Sequence, residues 1–157
     1  MKQRKKLPAP PKLSRPVRSF DRAVSQIVAH IKRGEPSDAL VGITKALKLQ
    51  NLSDAQKAEL YLHRGHALYS TGNLPQATLA FNESLKRSGA LSRRYVRIYL
   101  ALSLVAYAEA KQSRKQLNLE TVVFYIDIAA GTAKHRGYTE LQQEAAQHRA
   151  ALGLVRT

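Results

Sequence analysis

Apolar residues recur along this chain at intervals of three and four, broken by short clusters rich in glycine, proline, serine and asparagine. That period puts one apolar stripe on each of a series of helices. Val24, Ile27, Val28 and Ile31 predict a first helix over about Phe20–Arg33. Gly34 ends it, and Pro36 stands where a first helical turn needs no amide donor. A second helix is expected over about Ser37–Leu49. Ser53 and Gln56 have the reciprocal capping pattern that opens a third, about Asp54–Thr71. Gly72 and Pro75 repeat the punctuation ahead of a fourth, reaching Arg87, with Gly89 as its expected C-terminal cap. A fifth helix runs from near Leu91 to Ala110, and Lys111–Lys115 reads as a basic helix end or turn. Asn118 is the expected cap of a sixth helix over 121–135. Its run Val122–Ile126 favours sheet by composition, but no other segment offers a partner strand, so helix is the expectation. Gly137 follows, and Thr139 with Gln142 has the capping pattern for a seventh helix, about Glu140–Leu152.

Two stretches repeat each other 38 residues apart. Ala29 falls on Ala67, Gly34 on Gly72, Ala39 on Ala77, Leu47 on Leu85 and Lys48 on Lys86; Ile43 meets Phe81, and Ala46 meets Ser84. Glycine, then alanine five residues on, then a large apolar and a small residue describes two antiparallel helices joined at a tight turn. Such a hairpin cannot bury its apolar face alone and stacks on its neighbours. The expected fold class is therefore all-α: an antiparallel hairpin stack of about seven helices over 19–157, with units at about 20–49 and 58–87, a degenerate unit at 91–135 and a capping helix at 139–153.

In the second unit Tyr61, Gly65, Leu68, Gly72, Ala77, Phe81 and Ser84 fall on aromatic, small, apolar, glycine, alanine, aromatic and small places. In this the chain resembles the tetratricopeptide repeat (TPR) family over about residues 20–105. The first unit keeps Gly34, Ala39, Ile43 and Ala46, with Ala23 and Ile27 at the leading aromatic and mid-helix glycine places. The third begins in phase, since Ala101 follows Ala67 by the family period of 34 and Tyr95 takes the leading aromatic place; Tyr99 then stands where a small residue is expected.

The resemblance implies a right-handed solenoid in which the first helices of successive units line a concave, partner-binding groove. On this phase the groove holds Val24, Val28 and Ile31, then Leu62, His63, His66 and Tyr69, then Arg93, Val96, Arg97 and Leu100. Family members that grip a peptide's C-terminal carboxylate carry basic residues at the places of Arg93 and Arg97. The lysine and asparagines of the opposite half are replaced here by Val24, Val28 and His63. What remains is a looser anion site from Arg93, Arg97 and His63, because guanidinium binds carboxylate or phosphate bidentately. The alternative reading makes Arg93, Arg94 and Arg97 a solvated helix start.

Charge sharpens the expected partner. The chain has 157 residues and a net charge of +15. Residues 1–18 hold Lys2, Arg4, Lys5, Lys6, Lys12, Arg15 and Arg18, no acid, and four of the six prolines. They read as a disordered, partly polyproline arm. An excess of this sign favours acidic proteins or peptides, or RNA or DNA phosphates bound by the arm without base readout. No cysteine is present, which excludes disulfides, thiolate metal sites and thiol nucleophiles. No apolar run reaches about 18 residues, so no membrane span is expected, nor a signal-peptide core near the start. A cytoplasmic protein is the expectation, with organellar targeting by the arm left open.

Catalytic patterns are missing: there is no nucleophile elbow, no phosphate-cradling glycine loop and no carboxylate pair, so no enzyme and no cofactor are expected. Glu59, His63 and His66 share a helix face but lack further metal ligands. His30, His135 and His148 read as isolated. Asp127, inside an apolar helix, calls for a salt-bridge partner. The sixth helix (Val122, Val123, Phe124, Tyr125, Ile126, Ile128) is apolar on more than one side, which suits burial or self-association through 121–135.

Overall fold

The computed structural model describes residues 15–113 and 119–154, with side chains placed from residue 19 onward. The described residues form seven helices: α1 (Arg15–Lys32), α2 (Pro36–Ala46), α3 (Asp54–Ser70), α4 (Leu74–Arg87), α5 (Arg93–Gln112), α6 (Leu119–His135) and α7 (Thr139–Ala151). There is no strand among them, so the sheet-favouring run Val122–Ile126 is helical, as expected.

The glycine corners work as the sequence predicts. Gly34 and Gly72 take left-handed φ values of 72° and 76°. At the first, the Gly34 amide donates to the Ile31 carbonyl and the Glu35 amide to His30; at the second, Gly72 donates to Tyr69 and Asn73 to Leu68. These are paired Schellman bonds, which satisfy the last carbonyls of α1 and α3. Gly137 closes α6 in the same way. Ser53 and Gln56 form the full capping box on α3.

Several boundaries differ from the sequence reading. Helix α1 starts at Arg15, five residues early, and takes in the last four positions of the expected arm. Pro16 falls in its first turn, where the missing amide costs nothing. Residues 1–14 lie outside the described part. Helix α2 stops at Ala46, because the next amides reach back only three residues (Lys48 to Lys45, Leu49 to Ala46) and Asn51 turns left-handed at φ 61°. Gly89 is not a left-handed cap; Leu91 takes that conformation instead, at φ 61°. Thr139 does not cap α7. Tyr138 occupies the cap position without a side-chain bond, and the Gln142 amide nitrogen donates to the Ala133 carbonyl, tying α7 to α6. The expected cap Asn118 lies outside the described residues.

Each helix touches only the helices one or two places away in sequence: α1–α2, α3–α4 and α5–α6 pair, α7 packs on α6, and α1, α3, α5 and α7 adjoin in turn. Buried side chains form three successive groups, around Ile27 and Ile43, around Phe81 and Ile98, and around Leu100, Ala129 and Leu141. Close approach is greatest where α3 crosses α4. A Cβ added at Gly65 would lie 2.4 Å from Phe81 Cε1, so glycine is required there for the ring to seat. Ser84, fully buried, donates its hydroxyl to the Ala58 carbonyl at 2.6 Å across the same hairpin. In the third hairpin Tyr99 replaces the expected small residue and packs at a tilt between Tyr95 (4.8 Å) and Tyr125 (5.8 Å). Asp127 finds the salt-bridge partner its position demanded: Arg149 of α7 donates to it.

Candidate functional site

Two odd-numbered helices, α1 and α5, carry the basic charge. Helices α1 and α5 each hold four Lys and Arg to one acid. Arg93, Arg94 and Arg97 sit in the first two turns of α5, whose N-terminus is capped by the Ser92 hydroxyl accepting from the Tyr95 amide. Three cations there oppose the helix dipole, and each answers the conflict differently. Arg93 lies over the Tyr138 ring at 5.2 Å and approaches Glu140 at 3.9 Å. Arg94 reaches across to Glu59 of α3 at 3.6 Å. Arg97 has no ion pair among the described residues and lines a cleft of about 150 Å³ between α3, α5 and α7.

That cleft is walled by His66 from α3, by Arg97, Leu100, Ala101 and Leu104 from α5, and by Glu144 and His148 from α7. The His148 Nδ1 is shut off from solvent and has no hydrogen-bond partner among the described residues. His66 keeps an exposed edge while one side of its ring meets Phe81 edge to face at 5.2 Å. Loss of solvation, then the neighbouring His63 and Arg97, lower the His66 imidazole to about 4. Burial and the Arg94 guanidinium push His63 down as well. Near neutral pH both rings are uncharged, so they offer hydrogen bonds and Arg97 supplies the cleft's positive charge. Glu144 adds an acceptor. The lining thus mixes the Arg97 cation, the His66 and His148 rings, a carboxylate and an apolar floor.

The expected groove residues separate into three groups. Val96 and Leu62 belong to the core, Val96 with no exposure at all, so neither forms an open wall. Leu100 is equally buried yet floors the cleft. Val24 and Ile31 are half-buried against the first core group, Tyr69 against the second, and Val28 and His63 are half-buried. His66, Arg93 and Arg97 are exposed. The expected trio Arg93, Arg97 and His63 does not line one cleft: His66 takes the histidine's place beside Arg97, and Arg93 is turned to the start of α7. Of the arm, Lys2, Arg4, Lys5, Lys6 and Lys12 lie outside the described residues.

His148 and Glu144 were missed by the sequence reading, which left His148 isolated. A signal existed: Glu140, Glu144 and His148 are spaced by four and share a face of α7, in step with Arg93 and Arg97 on α5. A larger cleft of about 370 Å³ lies between α1 and α2, floored by Ala23, Ile27, Gly42 and Ala46. None of the expected groove residues lines it. At its rim His30, Glu35 and Asp38 bring ligand atoms within 4.8 Å of one another. Arg33 already donates to the Glu35 carboxylate at 2.9 Å and His30 meets it at 2.7 Å, so that cluster is an ion-pair network closing the α1–α2 corner. No helix among the described residues is long and apolar enough to cross a membrane. The chain matches no family model, and no curated protein or solved structure matches it significantly.

Proposed function

We propose that this chain is a non-enzymatic, TPR-like adaptor whose odd-numbered helices take an acidic peptide, with Arg97 as the anchor. One observation carries the reading: an exposed guanidinium with no ion pair among the described residues, sharing with His66 a cleft floored by apolar side chains. A peptide carboxylate fits the Arg97 guanidinium and the open edge of His66, its amide N–H fits Glu144, and its aliphatic carbons fit Leu100, Ala101 and Leu104. Glu144 also favours a peptide over a phosphodiester backbone, because it accepts from a backbone N–H and a phosphodiester has no donor to offer it. The basic character of α1 and α5 adds long-range attraction for an acidic partner.

Fluorescence anisotropy with a labelled library of Asp- and Glu-rich peptides tests this. Selected peptides should bind the full chain and lose about 10- to 100-fold in affinity on Arg97→Glu, since a hydrogen bond to a charged group is worth about 1.5–3 kcal/mol. Arg97 is exposed, so the thermal melt should hardly move. Equal binding by the variant, or preference for single-stranded RNA over every peptide, would overturn the assignment.

A further inference from the structure

The first two hairpins carry one cleft at the same place, filled in one and open in the other. Tyr61, Arg64, Gln76, Leu79, Ala80 and Glu83 line a cleft between α3 and α4. The residues 38 places earlier are Ala23, Gln26, Asp38, Val41, Gly42 and Lys45, and each of them lines the cleft between α1 and α2. The buried register agrees, since Ala39, Ile43 and Ala46 are buried in α2 as Ala77, Phe81 and Ser84 are in α4. The volumes do not agree: about 100 Å³ in the second hairpin and about 370 Å³ in the first.

The side chains account for the difference. In the second hairpin the half-buried Tyr61 ring takes the space, and the Arg87 guanidinium lies over it at 4.9 Å, held by the Glu83 carboxylate. In the first hairpin Ala23 stands at the tyrosine place and Leu49 at the arginine place. The ring and its covering cation are both missing, and a floor of Ile27, Gly42 and Ala46 is left open. In the third hairpin Tyr95, 34 residues after Tyr61, again supplies a half-buried ring, 4.8 Å from Tyr99. The first hairpin is thus the unit whose leading helix brings no ring to its own seat.

The rim charges give the chemistry of an occupant. Lys45 stands where Glu83 stands, so the first cleft offers a cation where the second offers an anion. Asp38, in the place of Gln76, puts an acceptor at the other end, beside the His30–Glu35 corner. Neither Lys45 nor Asp38 makes an ion pair among the described residues. They are seven residues apart on α2, about 10 Å along the axis, with Gly42 between them.

We propose that this cleft binds a small aromatic acid. Its ring lies on Ile27, Gly42 and Ala46 in the seat that Tyr61 fills in the second hairpin, its carboxylate meets Lys45, and a phenolic O–H at the far end of the ring donates to Asp38. The volume is at the small end of ligand pockets and suits a single ring. Because both charges are exposed, the apolar floor supplies most of the affinity and the charges set the orientation.

Amide NMR on the isotope-labelled full chain, titrated with para-hydroxyphenylpropionate, tests this. Shifts should saturate and centre on Ala23, Gln26, Gly42 and Lys45, with Kd about millimolar for a ligand of roughly a dozen non-hydrogen atoms. Ala23→Tyr should fill the seat and abolish the shifts, with helical circular dichroism retained. Lys45→Glu, on an exposed side chain, should weaken the acid about fivefold and leave para-ethylphenol, which has no acid group, binding as it does to the wild type. Absence of saturable shifts at the cleft, undiminished binding by Ala23→Tyr, or an equal loss of both probes on Lys45→Glu would overturn the proposal. A peptide ending in tyrosine that bound tenfold tighter than the free acid would also overturn it, by giving the seat to a protein partner. The proposal stands independently of the acidic-peptide cleft between α3, α5 and α7, whose binding Ala23→Tyr should leave intact.

Discussion

Replacing Gly65 by alanine isolates the packing that holds the second hairpin. In a helix interior this change is normally stabilising, because alanine gains about 1 kcal/mol over glycine in backbone entropy. Here the new methyl would lie 2.4, 2.5 and 2.7 Å from three atoms of the Phe81 ring, against about 3.5–4.0 Å for an ordinary carbon contact. Phe81 is 1% exposed and enclosed by Leu62, Ala77, Ile98 and Ala101, so the ring cannot retreat without moving α4 or α5. Overpacking of this kind costs about 1–3 kcal/mol. With three ring atoms involved the upper end applies, and the propensity gain leaves a net loss of about 2 kcal/mol. For a chain of this size that lowers Tm by about 4–8 °C. Gly131→Ala is the matched control: Gly131 is helical, exposed and has nothing within 4 Å of a built Cβ. It should gain about 0.5–1 kcal/mol. Differential scanning calorimetry on both variants reads opposite signs. Phe81→Leu placed in the Gly65→Ala chain should recover part of the loss, as a coupling energy of about 1 kcal/mol. If Gly65→Ala melts at or above the wild type while Gly131→Ala behaves as stated, the close α3–α4 crossing is refuted.

Gly72 has a left-handed φ and open space around it, so Gly72→Ala should cost about 1–2 kcal/mol through backbone strain alone, and Gly72→Asn less, since asparagine tolerates that conformation; urea titration with an unchanged m-value checks this. Folding lowers the His66 imidazole to about 4 and lowers His63 too, so between the ordinary imidazole value near 6.5 and about 4 the unfolded chain binds more protons than the folded one. Stability should then fall as pH drops through that window, ahead of the acidic residues Glu35 and Glu83, whose carboxyls are held below their ordinary range. Melts at stepped pH should show the slope, and His66→Gln should flatten it.

The helices were legible because their signals are local. Glycine at Gly34, Gly72 and Gly137 with an apolar period on either side locates a corner without reference to any other part of the chain, and Ser53 with Gln56 does the same for a helix start. The misplacements have equally local causes. Pro16 sits among lysines and arginines and reads as arm, yet proline in a first turn is compatible with helix, and α1 begins there. Gly89 looks like a cap, but the chain turns left-handed two residues later at Leu91. Thr139 offers a capping hydroxyl, and the helix instead takes Thr139 into its first turn.

The cleft was legible only by half. Arg97 could be read off α5 because one helix face is periodic, whereas its neighbours come from α3 and α7. Which histidine meets it depends on how α3 and α5 are rotated, and one position of rotation exchanges His63 for His66. His148 is 51 residues beyond Arg97, so no local pattern connects them, and only the packing of α7 beside α5 does. The same division explains why three exposed side chains stay hidden in a hydropathy plot. Val41, Leu79 and Phe124 add to the apolar count of their helices and read as core, and only the buried register of α2, α4 and α6 decides that each is left in solvent.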